Sequence, residues 1–263
     1  MMQLTQFSSA HLQAWADYSG DFNPIHFDTA VATKVTGNDD VVIHGMLAMM
    51  GLKQASPLPA GNEHWVQWQA MLRQAMPLQR PYQIVSEKKP GSARTRTRLE
   101  DLNGEVYMSA LTQPCDVPVW PAEGKRFPLD ADIAKQKLNS CQHQFQACSQ
   151  AWIALDALMF AQYVQEHGNQ VFHEDFFQHL GPGCADDLAD GKIVVMQTTH
   201  SAFFCRALQA SVNDMTFHTF EYAVHTTDYM QTGNGMVLTV EVPVWLDGKL
   251  CFIQRIGLML RQL

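Results

Sequence analysis

A chain of 263 residues with 46% hydrophobic content, 17% charged residues and a formal net charge of −8 can build a large core and lacks the composition of a disordered segment. Its acidic balance offers nothing to a generic nucleic-acid surface. Six cysteines (Cys115, Cys141, Cys148, Cys184, Cys205, Cys251) are scattered without a Cys-x-x-Cys pair and read as buried or free thiols of a reducing compartment. Met1 to Leu12 holds no basic start followed by an apolar run, and no segment approaches the length of a membrane span, so a cytoplasmic protein is expected.

Ser8 or Ser9 can cap a short amphipathic helix whose apolar face is Leu12, Trp15, Ala16 and Tyr18. Tyr18-Ser19-Gly20-Asp21-Phe22-Asn23-Pro24-Ile25-His26-Phe27-Asp28 follows. Gly20 permits a sharp turn, and Pro24 fixes its own φ while pushing Asn23 out of the α region, which predicts a rigid, irregular loop. Such a frame can aim Asp21 and His26 at one point, as a general acid/base pair requires. The plainer reading makes Asp21 and Asn23 turn-formers that bond their own backbone. Val41 to Leu52 then starts as a strand and continues as a helix that is apolar almost all round, hence buried, until Pro57 and Pro59 stop it.

The loop resembles the signature of the R-specific enoyl-CoA hydratases (MaoC-like hydratases, hydratase 2): Tyr/Phe, Ser, Gly, Asp, any, Asn, Pro, aliphatic, His, any, Asp/Ala. Every defined position is filled. His44-Gly45 matches the family's His-Gly at the start of the central helix. The resemblance implies a hotdog fold, in which a curved antiparallel sheet wraps a long helix. It also implies that Asp21 and His26 share the proton transfers, that Asn23 orients the reacting water, and that the Gly45 N–H receives the charge developing on a thioester oxygen. His44 and Met46 are candidate substrate-binding residues beside them.

The chain is about twice as long as one hotdog needs. Strand-like segments recur in both halves: His64–Met71, Gln83–Glu87, Ala93–Leu99 and Val106–Thr112, then Thr216–Thr226, Met236–Trp245 and Leu250–Leu260. Ile193 to Ser211 parallels the Val41 to Ser56 strand-to-helix run, and Ala161-Gln162-Tyr163 parallels Ala16-Asp17-Tyr18. The expectation is an α+β double hotdog: a catalytic half at 1–113, a proline-bearing linker at 114–148 and a degenerate half at 149–263, in which Glu166 to Asp175 replaces the Asp/His loop. Related double-hotdog hydratases usually keep the active motif in the C-terminal half, so its N-terminal position here is a departure.

His167, His173, His179, His200, His218 and His225 show no His-Glu-x-x-His or comparable spacing, and no metal site is expected. A strand over Ala93–Leu99 would put Arg94, Arg96 and Arg98 on one face, either as a solvated stripe or as a seat for coenzyme A phosphates or an acyl carrier protein. The expected activity is hydration of 2-enoyl thioesters or dehydration of 3-hydroxyacyl thioesters, with coenzyme A or phosphopantetheine entering as part of the substrate and no other cofactor. Acyl thioesterase activity and a non-catalytic acyl or carrier-binding role are the competing readings. A homodimer of double hotdogs is a further expectation.

Overall fold

The computed structural model describes residues 3–59, 65–88, 91–120, 125–167, 193–232 and 235–262. The first half runs β1 (Gln3–Thr5), α1 (Ser9–Ser19), a 3-10 turn (Pro24–His26), α2 (Thr29–Thr36), α3 (Gly45–Gln54), β2 (Trp65–Leu72), β3 (Tyr82–Lys88), β4 (Thr95–Asp101) and β5 (Val106–Cys115). The second runs β6 (Phe127–Leu129), α4 (Ala131–Gln144), α5 (Ala151–Gln162), a π-helical turn (Tyr163–His167), β7 (Ile193–Cys205), β8 (Phe220–Tyr222), β9 (His225–Thr232), β10 (Gly235–Leu246) and β11 (Lys249–Gln262).

Among the described residues, eleven strands form one antiparallel sheet in the order β1-β3-β4-β5-β2-β7-β11-β10-β8-β6, with β9 also on β10. The order reads symmetrically outward from the centre, so β2 corresponds to β7, β5 to β11, β4 to β10, β3 to β8 and β1 to β6. That is a double hotdog. The halves join at the β2–β7 seam, from Trp65 opposite Cys205 to Met71 opposite Thr199. Each half wraps its sheet around a buried helix, α3 or α5, and α5 is buried along its whole length.

Two expectations about the second half are corrected. Ile193–Cys205 is a strand of thirteen residues, closed by a 3-10 turn at Arg206–Gln209, and not a strand-to-helix run. Its β-branched and aromatic residues fit a pleated surface, whereas the Ala-, Leu- and Met-rich stretch 151–162 takes the central helix. The 114–148 segment assigned to a linker contains β6 and α4, the latter capped by Asp130, whose Oδ1 accepts from the Asp132 and Ile133 N–H groups. α4 is the counterpart of α1. Between α4 and α5 there are only residues 145–150, where the first half has residues 20–44 between α1 and α3, so the second half has no room there for a catalytic loop. Most of the Glu166–Asp175 stretch, with His173, His179 and Cys184, lies outside the described residues.

Candidate active site

The loop between α1 and α2 is a chain of caps. α1 ends on Gly20 in the left-handed region (φ 79°), where its N–H donates to Ala16 O at 2.7 Å. A Cβ there would also meet Gln165 Cγ at 2.8 Å, and Gln165 Nε2 donates to the Tyr18 carbonyl. Asp21 Oδ1 accepts the Asn23 N–H at 3.3 Å, Asn23 Oδ1 caps the 3-10 turn by accepting from Ile25 N, and Asp28 caps α2. The turn-forming reading is therefore true of one oxygen of Asp21. The other, Oδ2, stands 3.9 Å from His26 Nε2.

Asn23 differs from expectation. Its oxygen is taken by the cap and its Nδ2 donates to Val195 O of β7 at 3.2 Å, so it ties the loop to the second half instead of aiming at a water. It is a positioning residue.

His26 Nδ1 lies 2.7 Å from the Val42 carbonyl, which can only accept, so the proton sits on Nδ1 and Nε2 offers a lone pair toward Asp21. Burial lowers the His26 pKa despite the nearby carboxylate, which keeps the ring neutral. His44 is stacked on it, centroids 3.7 Å apart, and donates from Nε2 to the Asp21 carbonyl. Burial, with His26 as the second cause, pushes the His44 pKa down to about 3. At 1% exposure His44 supports the pair from behind and does not line the cavity, which corrects its assignment to substrate contact. The donor atoms of Asp21, His26 and His44 fall within 4.8 Å, but rings stacked at 25° leave no point near both in-plane lone pairs for a metal ion.

Both histidines titrate in the folded protein below the ordinary value of 6.5. The unfolded chain then binds more protons as pH falls below 6.5, so stability is present above that value and is lost toward about 3. For His44 alone the expected loss between pH 7 and pH 5 is about 2 kcal/mol. Urea midpoints at the two pH values measure it, and the His44→Phe variant should show a shallower dependence.

These groups open on a cavity of about 740 Å³ lined by both halves, including Asp21, Asn23, His26, Gly45 and Met46 from the first and Phe160, Val195 and Gln197 from the second. Gly45 is the first residue of α3, with His44 at the N-cap, so its N–H has no carbonyl one turn back to bond. An added Cβ would meet Leu72 Cδ2 at 2.7 Å and Gln197 Oε1 at 3.2 Å. Arg94 and Arg96 do not reach this cavity. Arg96 and Arg98 border a separate groove of about 680 Å³; Arg98 is paired with Glu87 and Glu100, and Arg73 and Gln74 line both spaces.

Beneath the cavity lies a network that the loop motif gave no reason to expect. Lys53 of α3 pairs with Asp156 of α5; His200 Nε2 reaches Asp156 Oδ1 at 2.9 Å, and Gln254 Nε2 donates to both the carbonyl and Oδ1 of Asp156. All four are at most 1% exposed. Burial raises the Asp156 pKa, but His200 and Lys53 outweigh it and hold the carboxyl ionised. The available signal was a charged residue inside each of two otherwise apolar helices.

Two buried helices wrapped by one continuous sheet define a double hotdog protein, with its Asp/His loop in the N-terminal half. Residues 2–55 of that half match the family model described as MaoC like domain. RV0216 of Mycobacterium tuberculosis, described as having a double hotdog fold, aligns over 99% of this chain and 96% of its own at 10% identity and a TM-score of 0.54. A MaoC domain protein described as a dehydratase, from Chloroflexus aurantiacus, aligns over 100% and 95% at 8% identity and 0.53, and another MaoC-like dehydratase over 97% and 96% at 8% and 0.51. At such identities the likeness is one of fold. No curated protein matches the chain. Among the described residues no helix is long and apolar enough to cross a membrane.

Proposed function

We propose that the protein hydrates 2-enoyl thioesters of coenzyme A or acyl carrier protein to (R)-3-hydroxyacyl thioesters, and dehydrates the latter in reverse. The observation that carries this reading is the facing of Asp21 Oδ2 and His26 Nε2 across 3.9 Å, with the His26 tautomer set by Val42 O. A water lying between them can bond to both. His26 Nε2 takes a proton from that water as its oxygen adds to C3, the proton passes from His26 to the Asp21 carboxylate, and Asp21 delivers it to C2, which returns both groups to their starting states. The Gly45 N–H, at the positive end of α3, donates to the thioester oxygen as it gains charge, a contribution typically worth ~3 kcal/mol. Coenzyme A or phosphopantetheine belongs to the substrate, and the protein works in the cytoplasm.

The test is a panel of 2-enoyl-CoA thioesters of varied length, followed at the enoyl absorbance with chiral analysis of the product. R-configured 3-hydroxyacyl-CoA is expected. Release of free thiol without loss of the double bond would replace this reading with a thioesterase, and inertness with binding would leave an acyl or carrier module. Because His26 must be neutral to accept a proton, kcat/KM should hold on acidification to pH 6.5 and fall only below it.

A further inference from the structure

β7 carries an irregularity that changes which side chains face the cavity. Its pairing with β11 shifts register so that Thr199 opposes Gly257 and Gln197 opposes Leu258, leaving Thr198 unpaired in a bulge. In a regular strand residues three apart point to opposite faces; here the extra residue brings Gln197 and His200 to the same one. The bulge requires Gly257, where a Cβ would sit 2.1 Å from Thr199 Oγ1.

His200 uses Nε2–H on Asp156, so its Nδ1 is a bare acceptor, and Gln197 Nε2 lies 3.0 Å from it. Only the NH2 end of the carboxamide can satisfy that lone pair. The Gln197 oxygen is thereby fixed on the Gly45 side, within the cavity, with Met46 Sδ 3.8 Å from Nε2. Lys53 and Gln254 complete the support by holding Asp156 from α3 and β11.

We infer that Gln197, supplied by the half that lacks the Asp/His loop, contacts the substrate: its carboxamide oxygen accepts a hydrogen-bond donor of the thioester beside Gly45, and His200 with Asp156 positions it. This rests on the proposed hydratase reading and adds a substrate contact to it. A thioester substrate has two donors near its carbonyl, the 3-hydroxyl of the hydroxyacyl group and the first amide N–H of the pantetheine arm. Both present an N–H or O–H to the same acceptor.

Gln197→Met preserves size and the packing on Met46 but removes the acceptor, and should lower kcat/KM about 10-fold, the value of one neutral hydrogen bond. His200→Leu should reproduce that loss, the double variant should be no worse than either single, and His200→Gln, which keeps both a donor and an acceptor, should restore most of it. With S-ethyl thiocrotonate, which has no amide, the Gln197→Met effect vanishes if the pantetheine N–H is the donor and persists if the hydroxyl is. Parental kcat/KM in Gln197→Met with crotonyl-CoA and in the reverse direction, or multiplicative losses in the double variant, overturns the inference. Titration of crotonyl-CoA into Asp21→Asn protein, with and without Gln197→Met, reads the contact without turnover. Failure of the hydratase reading appears separately, as a parent enzyme that does not turn over.

Discussion

Asp21→Asn and His26→Ala are each expected to lower kcat for crotonyl-CoA hydration by about 10²–10⁴-fold, the usual worth of a positioned acid or base. Asn keeps the Oδ1 that receives the Asn23 N–H, so the loop's cap survives while Oδ2 becomes an amide that can neither relay nor release a proton at neutral pH. His26→Ala removes the Nε2 lone pair that faces Asp21 across the 3.9 Å gap and loses the bond to Val42, a local cost of about 1 kcal/mol. Because the two groups act on one water, the double variant should lose little more than the worse single. Far-UV circular dichroism separates loss of chemistry from loss of fold, and turnover within 10-fold of the parent in either folded variant would sink the assignment.

The largest expected effect on stability lies elsewhere. Asp156→Ala leaves the Lys53 ammonium and the His200 N–H without their partner in a place water does not reach, and should cost about 3–5 kcal/mol. The charges are costly chiefly when separated. Lys53→Met combined with Asp156→Asn removes both, keeps an oxygen for the His200 N–H, and should recover most of the loss. Urea unfolding of the two variants decides the matter: equal midpoints for Asp156→Ala and the parent would mean that the network is wet or unformed.

The first half was legible in the sequence because its signals are local. Ser8 caps α1, Gly20 ends it, proline fixes the loop, and β2 to β5 fall within three residues of the expected strands. Asp21 and His26 meet because six residues of rigid backbone bring them together. What the sequence hid depends on long-range pairing. The central helix of the second half was misplaced because α5 and β7 are both apolar runs, and periodicity alone cannot tell a wholly buried helix from a buried strand. Arg94 and Arg96 do share a strand face or its approach, yet that face lies away from the cavity, which no alternation pattern reveals. Gln197 reaches the cavity only through a bulge whose close-packed partner, Gly257, lies on a different strand.

The β2–β7 seam makes two unequal copies permanent neighbours. In a symmetric homodimer every substitution appears twice, once at each equivalent place, so a change that helps one site by spoiling the other is always paired with its own damage. Joining the copies in one chain lifts that constraint. One copy can keep the long loop of residues 20–44 while the other shortens its counterpart to residues 145–150 and turns Asp156 of its central helix to an ion pair with Lys53 of the first. Division of labour between the copies, rather than duplication of activity, is what the shared sheet makes possible.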